Sequence, residues 1–244
     1  MSIVKQIPNL LTLGNLFCGT VATIFAVESD YNAAALFVLI GIFFDFLDGF
    51  VARLLKVSGE LGKQLDSLAD MVTSGVVPGI IMFKLIQNNM FDSKNSFENT
   101  ILGISLIGLV LTLAACYRLA KFNLDTRQSD SFIGLPTPAM SLFVISLPLI
   151  QMNSEIDFVL YLIDNNYFLI AVTLILSYLM NAEIPLFSLK FKDYSWNKNW
   201  IIYSFLLTSI MLILLVKYLS IPLIIILYVV LSVIKNVTSK HDYL

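Results

Sequence analysis

Histidine and cysteine are nearly absent from this 244-residue chain, which holds one of the first and two of the second. The single His241 excludes zinc sites built from several histidines, and it excludes a catalytic histidine inside the chain. Two cysteines cannot build a disulfide framework. Cys18 and Cys116 both sit in apolar runs and are expected to be small core residues. Charge is scarce as well, at 13% of residues against about 25% in soluble domains. The net charge of −2 and the pI of 5.3 leave no basic surplus to neutralise a phosphate backbone, so nucleic acid is excluded as a partner. What fills the chain is apolar: 58% hydrophobic residues and a mean hydropathy of +0.85. That composition excludes an ordinary soluble globule and a disordered chain.

A bilayer core needs about 20 apolar residues per helix. Runs of that length fall at roughly 10–28, 33–55, 67–88, 100–120, 136–152, 157–181, 199–217 and 220–237. The fifth is the weakest, being short and carrying Pro136, Pro138 and Pro148. The chain is therefore expected to be an all-α integral membrane protein of about eight transmembrane helices, with short loops and no soluble domain. The first run is long for a signal-peptide core, and no clear small-x-small cleavage site follows it, so it is expected to be a retained span.

Lys and Arg set the orientation. With both ends on one side, that side carries Lys5, Arg53, Lys56, Lys63, Arg118, Lys121, Arg127, Lys190, Lys192, Lys198, Lys235 and Lys240; the other carries Lys84, Lys94 and Lys217. This bias predicts that both termini and the 54–66, 118–134 and 182–198 loops face the cytosol, in the cytoplasmic membrane. It also demands an even number of spans. Lys190, Lys192 and Lys198 are read as orientation charges, and Pro78 and Pro185 as residues that kink or end helices.

Four acids interrupt the apolar pattern. Asp45 and Asp48 lie in LFVLIGIFFDFLDGFVARLL, and Asp66 and Asp70 in GKQLDSLADMVTSG. An aspartate at the centre of a span costs about 2.5–3.5 kcal/mol, so four impose at most about 10–14 kcal/mol. Their spacing suggests the offset. Asp45 and Asp48 share a helical face, which Gly49 and Ala52 continue, and Asp66 and Asp70 are one turn apart on the next helix. A short connection at about 54–62 lets the two helices pack antiparallel, bringing the four carboxylates together. Like charges that close cannot all ionise without cations. Oxygen-only ligands suit Mg²⁺, Mn²⁺ or Ca²⁺, and bridging carboxylates suit a pair of ions. Gly49 and Ala52 leave the acidic face without bulk. Arg53 offers a fork for phosphate oxygens, and Gly62 opens a helix whose free N–H groups can meet an anion. Together these features describe a pyrophosphate site. The plainer alternative is that the acids form structural ion pairs with Arg53, Lys56 and Lys63.

The segment DFLDGFVARLLKVSGELGKQLDSLAD resembles the signature of the CDP-alcohol phosphotransferase family, D-x2-D-G-x2-A-R-x8-G-x3-D-x3-D. Its eight positions are Asp45, Asp48, Gly49, Ala52, Arg53, Gly62, Asp66 and Asp70. The resemblance implies transfer of a phosphoalcohol group from a CDP-linked donor to an acceptor hydroxyl, by a six-helix, dimeric, divalent-metal-dependent core. IPNLLTLGNLFCG (7–19), CYRLAKFN (116–123) and FIGLPTPAM (132–140) resemble the phosphatidylserine synthase branch. Lys121 stands where that branch usually has Arg, keeping the charge and losing the bidentate fork. The resemblance runs from about residue 5 to 185. It implies a catalytic core over 1–185, followed over 186–244 by a cytoplasmic connection and two additional helices.

The same resemblance implies roles. Metals would be held by Asp45, Asp48, Asp66 and Asp70, with Asp70 as general base. Gly49, Ala52, Arg53 and Gly62 would meet CDP and its phosphates, and Asn9 and Thr12 would lie near the nucleotide. CDP-diacylglycerol and L-serine would be the substrates. Arg118 and Lys121, one turn apart, are positioned to bind an acceptor carboxylate. They serve equally as positive-inside anchors that snorkel to head groups. Asn123 and the Gly134–Pro138 turn either shape the acceptor pocket or form a plain loop. Two other functions stay open. One is the same chemistry on glycerol 3-phosphate or an inositol phosphate, which calls for a larger basic cluster. The other is a cation transporter built on the four acids, for which internal repeats are expected and not found.

Overall fold

The computed structural model describes residues 6–57, 59–91, 98–125, 132–187 and 196–241. It is a helical bundle. Helices α1 (Gln6–Val27) and α2 (Tyr31–Leu54) form an antiparallel hairpin, turned at Ser29 (φ 63°) and capped where the Asp30 side chain accepts the Ala33 N–H at 3.1 Å. Then come α3 (Glu60–Met71), a π-helical turn (Val72–Val76) and α4 (Val77–Phe91), which run on as one apolar stretch. Helix α5 (Glu98–Ser105) passes through a tight turn (Leu106–Leu109) into α6 (Val110–Leu124). Helix α7 (Thr137–Asn153) is followed by the short α8 (Asp157–Ile163) and by α9 (Asn166–Asn181). Two-residue strands β1 (Phe132–Ile133) and β2 (Pro185–Leu186) pair antiparallel, pinning the start of α7 to the end of α9. Helices α10 (Trp196–Val216) and α11 (Ser220–His241) close the chain.

The burial pattern inverts that of a soluble protein. The inner face of α1 is small or polar: Thr12, Asn15, Cys18, Gly19, Ala22 and Ala26. It meets Ala34, Ala35, Val38 and Gly41 of α2. Small side chains let two backbones approach closely, which is how helices adhere when lipid removes the hydrophobic incentive. The large apolar residues point outward, among them Leu10, Phe17, Leu39, Phe43 and Phe46. In water such a surface would aggregate; in a bilayer it faces acyl chains. The protein is an integral membrane protein.

The core gathers around α4 and α7. Residues Phe143–Ile150 are buried without interruption, so α7 is enclosed on every side. An enclosed helix need not reach both membrane surfaces, which accounts for its 17 residues. Pro138 sits in the first turn, where no N–H bond is lost, and Pro148 lies inside the helix. The sixth apolar run is broken: α8 and α9 meet at 72°, with Asn165 capping α9 by accepting the Tyr167 N–H at 2.9 Å. The last two runs form one 38-residue apolar stretch that folds back on itself at Lys217 (φ 47°). The rings of Phe205 and Tyr228 are 5.8 Å apart, whereas a straight helix would separate these positions by about 35 Å.

Some expectations are corrected here. Cys116 is exposed on the outer surface of α6, because its helical face points away from the bundle; only Cys18 is a core residue. Pro185 lies in β2, four residues past the last helical residue of α9, and ends no helix. Pro78 stands at the junction of the π turn and α4. Lys5, Lys94, Arg127, Lys190 and Lys192 lie outside the described residues, as do the side chains of Lys198 and Lys240.

If the α1–α2 seam depends on small residues, Ala22→Leu should destabilise the protein by about 1–3 kcal/mol, while Leu39→Ala, on the lipid face, should change stability by about 0.5 kcal/mol or less. Thermal unfolding in detergent checks this; the reverse order would contradict the packing.

Candidate active site

The end of α2 and the start of α3 meet across a five-residue connection, with Lys56 in a left-handed conformation (φ 53°) that turns the chain back. The turn carries the acids of the two helices into register. One oxygen from each of Asp45, Asp48 and Asp66 lies within 4.8 Å of the other two. Carboxylate oxygens gathered this closely repel one another and favour a proton or a cation among them. Asp66 Oδ1 is buried without a hydrogen-bond partner. Asp48 accepts a hydrogen bond from the Thr12 hydroxyl of α1, which is also within 3.1 Å of the Pro8 carbonyl. All donors are carboxylate oxygens, with an orphaned buried oxygen among them. That donor set fits a hard divalent cation.

Asp70 stands beside this trio. Its Oδ1 accepts from Asn15 Nδ2 at 3.1 Å. Asp66, Asp48 and the Arg118 guanidinium all lie close enough to act on its charge. Arg118 is buried near the end of α6, with Nε unpartnered and the guanidinium 5.9 Å from the Phe122 ring centre. Lys121 has swung elsewhere and pairs with Glu183 at 3.3 Å. Lys63 donates to the Asn123 carbonyl at 2.5 Å, and Asn123 Nδ2 donates to Ser67 Oγ at 2.8 Å. Asn123 thus ties α6 to α3 and holds Arg118 near the acids.

A cavity of about 510 Å³ opens beside the trio. Asn9, Thr12, Asp48, Gly49, Ala52, Gly62 and Asp66 line it. A carbon added at Gly49 would lie 3.5 Å from the Arg53 guanidinium, so the arginine head group sits beside this glycine, although Arg53 does not line the cavity. At Gly62, an added carbon would meet Asn9 Oδ1 at 3.3 Å. Among the described residues no ion pair joins Asp45, Asp48, Asp66 or Asp70 to Arg53, Lys56 or Lys63. The ion-pair explanation of the acids therefore has no support in the geometry. The sequence pattern gives no prominence to Asn15 and Thr73, which the structure brings to Asp70; an asparagine within an apolar run is the one sequence signal for them.

A sequence profile described as CDP-alcohol phosphatidyltransferase matches residues 5–179. A CDP-diacylglycerol–serine O-phosphatidyltransferase of Bacillus subtilis is 33% identical over 59% of this chain and 75% of its own length. One of the same name from Helicobacter pylori is 34% identical over 57% of this chain and 55% of its own length. An archaetidylserine synthase of Methanothermobacter thermautotrophicus is 29% identical over 62% of this chain and 61% of its own length.

Asp45→Asn, Asp48→Asn and Asp66→Asn should each abolish tight Mn²⁺ binding by the purified protein while leaving its helical circular dichroism intact. Lys84→Ala should bind as wild type. Electron paramagnetic resonance titration of free Mn²⁺ reads the difference; undiminished binding in all three acid variants would remove the metal site.

Proposed function

The chain belongs to the CDP-alcohol phosphatidyltransferase family, and from that premise we propose that it transfers the phosphatidyl group of CDP-diacylglycerol to the hydroxyl of L-serine, forming phosphatidylserine and CMP. The observation that carries the reading is the acidic trio, two of whose members, Asp48 and Asp66, line a cavity that Gly49, Ala52 and Gly62 also line. The cavity lies at the helix ends, where a lipid-anchored donor can keep its acyl chains in the bilayer and lower its head group into the site.

The family is divalent-metal dependent, and here Asp45, Asp48 and Asp66, with Asp70 alongside, would hold Mg²⁺ or Mn²⁺, as a pair of ions. A metal held by these carboxylates would supply charge neutralisation for the pyrophosphate and the departing CMP. The chain's own groups do the rest. Arg53 grips phosphate oxygens with its fork. The glycine floor admits the pyrophosphate against the backbone, and Asn9 and Thr12 border the nucleotide end. Asp70 takes the proton of the serine hydroxyl. The hydroxyl oxygen then bonds to the β-phosphorus, the one esterified to diacylglycerol. The bond from that phosphorus to the bridging oxygen breaks, and CMP leaves with the electron pair.

Arg118 supports serine as the acceptor. It is the buried cation facing Asp70, and its unpartnered Nε leaves it free to receive a carboxylate. That contact would set the serine hydroxyl near the base. Lys121, shared with Glu183, adds charge from one turn away. One buried arginine suits a carboxylate better than a second phosphate, which favours serine over glycerol 3-phosphate or an inositol phosphate. The distribution of Lys and Arg supports a site facing the cytosol from the cytoplasmic membrane. The dimer expected of the family, and a catalytic core over 1–185 with α10 and α11 as additions, belong to the same proposal.

In detergent with CDP-diacylglycerol and Mn²⁺, CMP release should require serine and should fail with glycerol 3-phosphate or inositol phosphate. Asp45→Asn or Asp66→Asn should lower it on the order of 100-fold or more. Arg118→Lys should raise the KM for serine roughly 10-fold with little change for the lipid, since one bidentate contact is lost. CMP release with a phosphorylated acceptor alone would contradict the serine assignment.

A further inference from the structure

Between α1, α2 and the π turn lies a buried polar pair that the mechanism has not used. Asn15 and Thr73 are both fully buried. Asn15 Nδ2 donates to Asp70 Oδ1 at 3.1 Å, and Thr73 Oγ1 donates to Asn15 Oδ1 at 2.7 Å. The same hydroxyl is 3.2 Å from the Asn15 main-chain carbonyl. Neutral polar groups inside a membrane bundle are costly and need a reason to be there.

The relay admits one orientation. An amide's oxygen and nitrogen are told apart by their partners. With Thr73 donating to Oδ1, the NH₂ group faces Asp70. Turned over, the amide would set its oxygen against a carboxylate oxygen, two acceptors face to face. Space for the relay comes from missing side chains at Gly41 of α2 and at Gly19 of α1 itself. A carbon added at Gly41 would lie 2.9 Å from Asn15 Oδ1 and 2.8 Å from Thr73 Cγ2, and one added at Gly19 would lie 2.9 Å from the Thr73 nitrogen. The π turn, Val72–Val76, begins two residues after Asp70. Its extra residue per turn rotates Thr73 relative to a continuous α-helix, and such turns recur at functional sites.

We propose that Thr73 and Asn15 are positioning residues: they commit one oxygen of Asp70 to a fixed donor and so hold its other oxygen ready for the acceptor hydroxyl. This rests on Asp70 being the base in the reaction proposed above. Neither residue touches substrate in this account, so their loss should slow turnover without weakening substrate binding.

The experiment compares wild type, Thr73→Val and Thr73→Ser in the CMP-release assay, with thermal unfolding in detergent as a check on folding. Valine keeps the shape and removes the hydroxyl; serine keeps the hydroxyl. Thr73→Val should lower kcat by about 10–100-fold, with KM for serine and for CDP-diacylglycerol within about twofold of wild type, and Thr73→Ser should recover kcat to within about threefold. Should Thr73→Val fail to fold, Gly41→Ala, which presses on Asn15 Oδ1, should give the same kcat-selective loss. An unchanged kcat in the folded valine variant, or a serine variant as impaired as valine, would overturn the relay and leave the reaction standing. A wild type that releases no CMP with any acceptor would overturn the reaction and the relay together.

Discussion

Everything in this molecule answers to the mutual repulsion of carboxylates held close together at the end of a membrane helix bundle. With oxygens within 4.8 Å, each ionised pair repels by at least roughly 3–4 kcal/mol at an effective dielectric near 20. No lysine or arginine of the α2–α3 connection forms an ion pair with them. Carboxylates gathered this way, with no ion pair to those basic residues, could hold an external cation. In the proposed function, that cation and Arg53 would together draw a pyrophosphate to the same place.

Small residues make that arrangement reachable. The glycine and alanine seam between α1 and α2 brings Thr12 against Asp48 and Asn15 toward Asp70. The Lys63–Asn123–Ser67 bridge brings α6, and with it the buried Arg118, against α3. The β1–β2 pair does the corresponding work for α7 and α9: Gly134 (φ 75°) donates its N–H to the Ile184 carbonyl at 2.9 Å, and any larger side chain would strike the Met180 carbonyl. That segment therefore has a structural task, tying the ends of two helices beside the α6 terminus. The C-terminal hairpin grips the same clip, since Tyr228 donates to the Phe187 carbonyl at 2.8 Å and Asn236 to the Pro185 carbonyl at 2.6 Å.

The site was legible in the sequence to the extent that its physics is local. Asp45 and Asp48, and Asp66 and Asp70, announce themselves because acids in apolar helices demand compensation, and helical spacing alone puts each pair on one face. The glycine floor follows from the same periodicity. What depends on long-range packing was not legible. Lys121 carries the same charge as Arg118 one turn away, yet only the three-dimensional path of the 182–187 segment puts Glu183 beside it. The π turn leaves no mark in composition, since VTSGV reads as ordinary helix. The spans were legible as apolar runs, whereas the break at Asn165 and the all-round burial of α7 depend on what neighbouring helices cover.

The most direct test of the central claim is anomalous diffraction at the manganese edge from crystals of the protein grown with Mn²⁺ and CDP. The account expects anomalous density among Asp45, Asp48 and Asp66, in coordination contact with their oxygens and with the diphosphate lying over Gly49. A diphosphate bound elsewhere, or carboxylates that remain clustered with no metal between them, would contradict it.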